Sequence, residues 1–202
     1  AFTGNEALES KGSVQGDGYS CQANMMAKAG VPEAMAMAFE ASIGPLDRRI
    51  LSALDAAQAA GGDARGMQSV ALLVSSSVSV TGPLTRDVDS ATDFRVDHSD
   101  NPLRSLRALL DNRDAERDMT ERSLSGSLEE VRATYEAVSS RSLTDELTFW
   151  HAVRTLSIKH LAHDEAIDLL TPVIEKNSNW AVLMLRLPEL PADSPLRTRF
   201  GG

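Results

Sequence analysis

Cysteine is almost missing from this chain of 202 residues. The single Cys21 excludes an intrachain disulfide and any zinc site built from several cysteines, and it fits a reducing compartment. Aromatic side chains make up only 4%, so Leu, Val, Met and Ala must build the core. Positive charge is short as well. Twenty Lys and Arg face 29 Asp and Glu for a net charge of −9, and neither half of the chain is basic. The electrostatic footprint of a nucleic-acid binder is therefore absent, and anionic membranes are disfavoured as partners. No apolar run approaches the ~18 residues of a membrane span. What remains is 42% hydrophobic and 24% charged, the balance of a folded globular chain of one or two domains rather than a disordered one.

Two regimes follow one another. Residues 1 to about 100 mix glycine-rich turns, short β-like runs and Ala-rich helices. Ala1-Phe2-Thr3-Gly4 reads as a strand end, Gly12, Gly16 and Gly18 as the punctuation of a loop, and Tyr19 to Asn24 as a short strand. Pro32 suits the first position of a helix on which Met35 and Phe39 lie i,i+4. After Gly44-Pro45, the residues Leu46, Ile50, Leu54 and Ala57 mark an apolar stripe, which Gly61-Gly62 stops. Val70 to Val74 is a continuous apolar run, as expected of a strand buried on both faces. Ser75 to Val80 alternates like a hairpin arm, Thr92 to Val96 is a further strand, and Leu103, Leu106 and Leu110 carry a helix after Pro102.

Residues from about 102 to 187 read as helix almost throughout, and an internal echo runs through them. Glu130-Val131, Tyr135 and Val138 recur as Glu165-Ala166, Leu170 and Val173, each 35 residues on. Leu147, Trp150, Val153 and Leu156 form a stripe between the two copies. A period near 34 residues is that of tetratricopeptide arrays, with Trp150 at the conserved tryptophan relative to Ala166, although Arg154, Ser157 and Ser178 replace the usual Gly, Tyr and Pro. A generic antiparallel helical bundle fits equally well. Either way the helices bury one shared apolar face.

One constellation carries a family resemblance. Ala1-Phe2-Thr3-Gly4, Gln22-Ala23-Asn24-Met25, Ala34-Met35, Phe39-Glu40 and Gly44-Pro45-Leu46 precede the string Gly61-Gly62-Asp63-Ala64-Arg65-Gly66-Met67-Gln68-Ser69. Arg95-Val96-Asp97-His98 and Leu106-Arg107 follow it. Together they resemble the C-terminal half of domain-of-unknown-function family 1028, over roughly residues 1–113, with a tetratricopeptide-like helical tail over 114–202. Ala23 departs from the family's usual Gly, and Ser75–Ser90 lacks its aromatic and glycine residues. The family is assigned to the Ntn-hydrolase-like superfamily. The resemblance thus implies an α+β chain: part of an αββα sandwich, followed by an all-α domain of helical hairpins. Four or five strands are too few for two packed sheets, so the expectation is that the sandwich's N-terminal half lies outside this chain, by truncation or processing.

The same resemblance implies a hydrolase of amide bonds that uses a terminal Ser, Thr or Cys, with its own α-amine as base. Ala1 has no nucleophile and Thr3 no free amine, so this chain alone is expected to be inactive. It can instead supply a supporting pocket of Asn24, Asp63, Arg65, Gln68 and Ser69. Arg65 would bind a substrate carboxylate bidentately, and Gln68 or Asn24 would donate to an oxyanion. A second reading stays open, in which Asp63 and Arg65 form a local ion pair that fixes the turn.

Other patterns are weaker. Asp87, Asp89, Asp93, Asp97 and Asp100 lack the spacing of a calcium loop and read as a solvated face. Asp97-His98 points to opposite faces of a strand. His160 and His163 have no third ligand, and Gly12, Gly16 and Gly18 are not a dinucleotide fingerprint. Neither metal nor cofactor is expected. The expected partners are a small amide or peptide substrate and either a homodimer mate or, for the helical tail, the sandwich itself. A non-catalytic scaffold using that tail is the alternative function. The default compartment is the cytoplasm, although a missing N-terminus would take any signal peptide with it.

Overall fold

Asp17-Gly18 is a two-residue sequence suited to a hairpin turn with positive φ. In the computed structural model, which describes residues 3–75, 92–140, 144–159, 163–188 and 190–201, it does that work. β1 (Gly12–Gly16) pairs antiparallel with β2 (Tyr19–Ala23), with Gly16 opposite Tyr19 and Gly18 at φ 75°. The stretch read as a punctuated loop is thus a strand and its turn. A strand needs no apolar alternation when only Val14 and Cys21 have to face inward, and the sparse pattern hid it. No strand forms at Thr3-Gly4; instead the Thr3 hydroxyl donates to the Gly12 carbonyl at 2.7 Å.

α1 (Val31–Ala41) starts with Pro32 in its first turn, behind Gly30 at φ 89°. It packs on β1, β2 and α2 (Leu46–Ala59). α2 buries Asp47, Leu51 and Ala53 rather than the expected stripe, and Leu46 remains 47% exposed. The helix is rotated so that Asp47 can accept from the Thr92 hydroxyl at 3.0 Å, with both residues buried. A buried carboxylate without such partners would be costly, so this contact helps to set the face that α2 presents.

β3 (Val70–Val74) and β4 (Thr92–Val96) form a second antiparallel hairpin sheet, with Val70 opposite Val96. The double-sided burial expected of β3 is not found. Leu72 is buried, but Leu73 is 70% exposed, because among the described residues this sheet has two strands and a cover on one face only. The hairpin arm expected over Ser75–Val80 falls almost wholly outside the described residues.

α3 (Pro102–Ser125) runs 24 residues and contains the point, between Leu109 and Leu110, at which the chain divides into two compact units. The second unit holds the rest of α3, α4 (Leu128–Ser139), α5 (Asp145–Lys159), α6 (His163–Lys176), α7 (Asn179–Arg186) and α8 (Pro195–Phe200). Ser127 opens α4 with a complete capping box: its hydroxyl accepts from Glu130 N–H, and Glu130 Oε2 accepts from Ser127 N–H at 2.7 Å. Ser127→Ala should lower stability by about 1 kcal/mol, measured as a shifted urea midpoint; an unchanged midpoint would show that α4 does not depend on its cap.

The echo now has a physical content. Val131 and Val138 of α4 and Ala166, Leu170 and Val173 of α6 are all buried, so the repeated spacing marks corresponding core faces of two helices. Arg132, one residue past Val131, also ion-pairs with Glu165. On α5 the stripe residues Leu147, Val153 and Leu156 are buried as expected, Trp150 is only half-buried, and Phe149, outside the stripe, is fully buried. At the end of the chain Arg197 fastens the last segment, donating to the carbonyls of Leu185, Leu190 and Pro191 at 2.7–3.0 Å. The protein is thus a mixed α+β chain, mostly helical. Among its described residues no helix is long and apolar enough to cross a membrane.

Candidate functional site

Two glycines bring the site together. Gly61 (φ 137°) and Gly62 (φ 64°) end α2, and the Gly62 N–H returns to the Ala57 carbonyl at 3.0 Å. A Cβ on Gly62 would lie 2.4 Å from Gln58 Oε1, so only glycine fits the turn without displacing that side chain. The chain leaving the turn then pairs with the chain leaving β2. Ala27 N–H donates to the Gly62 carbonyl, and Ala64 N–H to the Met25 carbonyl, each at 2.9 Å, forming an isolated bridge between Met26 and Asp63. Two loops far apart in sequence are thereby held side by side. Ser99 N–H adds a third tie at the Gln68 carbonyl, 3.1 Å away.

Between these loops lies an open cavity of about 380 Å³ in the first unit. Asn24, Asp63, Arg65, Gln68 and Ser69 all line it. The lining also has apolar side chains, among them Met26, Met35 and Met67. All three sit inside or beside the motifs of the sequence reading, which took Met35 as a helix-face residue and gave none of them a place in the pocket. Unbranched thioether side chains of this kind adapt to ligands of varied shape.

Asp63 and Arg65 form a bidentate ion pair. Asp63 Oδ1 accepts from Arg65 N–H at 2.8 Å and Nε at 2.9 Å, and Oδ2 accepts from Nη2 at 2.7 Å. Arg65 holds the Asp63 carboxyl down to about 2, chiefly through the side-chain hydrogen bond. Such a carboxylate cannot act as a general base near neutral pH, where an effective base titrates close to the working pH. The pair fixes the turn, and it also aims the guanidinium. Its Nε and Nη2 are engaged while Nη1 has no partner among the described residues, and the side chain is 66% exposed. Among those residues the side chains of Gln68 and Ser69 make no hydrogen bond, and Asn24 uses only its oxygen, which accepts from Met25 N–H at 2.9 Å. Ser69 has no histidine or lysine beside it in the lining. The cavity therefore offers donors and acceptors for a ligand, but no activated nucleophile.

The remaining candidates lie elsewhere. His98 is exposed, and Asp97 pairs with Arg95 at 3.0 Å rather than with His98. Cys21 is buried, and burial pushes its thiol up, away from reactivity. Asp93, Asp97 and Asp100 are exposed, and His163 is too, whereas Asp87, Asp89 and His160 lie outside the described residues. No three His, Cys, Asp or Glu side chains among the described residues gather in a way that would hold a metal ion.

The first unit is thus a small α+β body with a ligand-sized cavity, walled by methionine and edged by carboxamides and one guanidinium. The model of the Family of unknown function (DUF1028) matches residues 1–106, more than half of the chain, and the chain belongs to that family. The crystal structure of protein SPO2555 from Silicibacter pomeroyi, of the same family model, is 35% identical with a TM-score of 0.44; the match covers 55% of this chain and 43% of that one. The chain thus spans less than half the length of that relative. A comparison with curated proteins finds no match.

Proposed function

We propose that the cavity of the first unit binds a small amide or peptide with a carboxylate end, as the ligand-holding part of an Ntn-hydrolase-like amide-processing protein. One observation carries this reading: a guanidinium with a free Nη1, two carboxamides and a hydroxyl share one cavity with an adaptable apolar wall. The guanidinium takes the carboxylate, the carboxamides of Asn24 and Gln68 hydrogen-bond the amide, and the methionines cover an acyl or side-chain group. The attacking group of such a protein would come from residues other than these. The exposed face of the β3–β4 sheet, with Leu73 and Ala71 outward, supports the further proposal that these hairpins are parts of a larger layered sandwich. The inward-facing echo positions of α4 and α6 support tetratricopeptide-like hairpins that pack on themselves.

The test is a titration of the 202-residue chain with N-acetylated amino acids and dipeptides, each compared with its C-terminal amide, followed through the side-chain amide resonances of Gln68 and Asn24. Carboxylate ligands should shift them saturably. Arg65→Met should weaken those ligands at least about tenfold, the loss of one charge-assisted hydrogen bond, and leave the neutral amides unchanged. A lower Tm with unaltered binding would reduce Asp63–Arg65 to a turn clasp, and a panel without a single saturable shift would remove the binding role.

A further inference from the structure

The helical unit has a cavity of its own, independent of the reading above. About 140 Å³ of space lies between α3 and α5. Glu116 and Thr120 line it from α3, and Glu146, Trp150, His151 and Arg154 from α5. The residues recur at helical spacing, so each helix turns one continuous stripe toward the space. Three full charges meet there: two carboxylates and one guanidinium. Among the described residues none of the three is ion-paired. Arg154 does not reach the carboxylates. Its Nη1 donates to the Thr120 hydroxyl at 2.9 Å, and its guanidinium lies 5.1 Å from the centre of the Trp150 ring. Glu146 accepts only a long 3.4 Å contact from the Trp150 indole N–H, and Glu116 has no hydrogen bond.

Both carboxylates reach solvent at the mouth of the cavity, and Arg154 is half-buried. Here the guanidinium is held apart by an aromatic face and a hydroxyl, while the two carboxylates stand near enough to repel. Burial and the Glu146 charge both push the Glu116 carboxyl up. The floor adds no positive charge at neutral pH, since the buried His151 imidazole is pushed down to about 4.

We propose that this cavity binds a small α-amino acid as its zwitterion, the carboxylate on Arg154 and the ammonium between Glu116 and Glu146. The cavity opens to solvent, so a side chain on the amino acid can project outward. Guanidinium suits the carboxylate because its planar fork matches two oxygens, and an ammonium with three donors suits a pair of carboxylates. Neither half-ligand satisfies both ends: an anion alone leaves the carboxylates repelling, and a cation alone leaves Arg154 unmatched.

The experiment titrates the chain with glycine, L-alanine, L-serine, acetate and methylammonium, watching the two indole N–H resonances. Trp150 lines the cavity, whereas Trp180 packs 4.8 Å from Phe149 and serves as the internal reference. Glycine, alanine or serine should shift Trp150 saturably and leave Trp180 still. Acetate and methylammonium should bind at least about tenfold more weakly, and Arg154→Gln should weaken glycine by at least about tenfold. An unshifted Trp180 resonance shows that the variant is folded. Should Arg154→Gln lose it, Glu146→Gln, at an exposed position, must weaken glycine in the same direction. No saturable shift of Trp150, equal shifts with acetate alone, or an unaffected folded variant would each overturn the proposal.

Discussion

Phe149→Ala is expected to destabilise the helical unit by about 3–5 kcal/mol, the usual cost of emptying a fully buried aromatic site. Phe149 has no exposed surface and meets Trp150 edge-on at 5.2 Å and Trp180 at 4.8 Å. It joins Leu170, Met184 and Leu196 in one core, so its removal loosens α5, α6, α7 and α8 together. The two tryptophans, Trp150 and Trp180, are the only ones in the chain, and both lie in this unit. Urea unfolding followed by tryptophan fluorescence therefore reports on the helical unit without interference from the other. A loss below about 1 kcal/mol, the range of ordinary surface changes, would mean that Phe149 does not anchor this core.

The second large effect is a pH dependence seated at His151. Burial lowers its imidazole from 6.5 to about 4; Arg132 pushes in the same direction and Glu165 against it. The ring stacks on Tyr135 at 4.1 Å, and its Nδ1 lies 3.2 Å from the Thr155 hydroxyl. Below pH 6.5 the unfolded chain takes up a proton that the folded chain refuses. Stability from this residue is therefore whole above pH 6.5, declines as pH falls toward 4, and is level beneath that. Between 6.5 and about 4, at 1.36 kcal/mol for each pH unit, the loss amounts to roughly 3 kcal/mol. The same fluorescence assay, run between pH 7 and 4, should show that slope, and His151→Phe, which fills the space without titrating, should flatten it. Parallel slopes in the two proteins would assign the acid sensitivity to carboxylates instead.

Local signals were the legible part of this fold. Pro32 after Gly30 marks a helix start, Gly61-Gly62 a helix end, and Thr92–Val96 a strand, because each depends on backbone preferences of the residues themselves. The 35-residue echo was legible for a related reason: corresponding helices bury corresponding positions. The site was partly legible too. The five polar residues singled out from the glycine-rich string and the segment after β2 line one cavity, since that string turns the chain where the motif sits.

Partnership was not legible. Asp47 is a surface residue by type, yet it is buried and accepts from Thr92, 45 positions on, while α2 leaves Leu46 of its apparent stripe exposed. Nothing in Val70–Val74 says how many strands will flank it or which face will be covered, so a run that reads as doubly buried leaves Leu73 outward. Phe149 joins the core beside the stripe of Leu147, Val153 and Leu156, because α5 is covered on more than one side, which periodicity alone cannot show. The same holds for Glu116, Glu146 and Arg154, ordinary helix-surface charges in one dimension that share a cavity only once α3 and α5 lie side by side. The sequence by itself determined the start of α1, the end of α2, the acidic balance and the glycine-built turn, because those follow from neighbours along the chain. Tertiary structure alone decided which charges are buried, which remain unpaired and which side chains face a common space, because those depend on residues that meet only after the chain has packed.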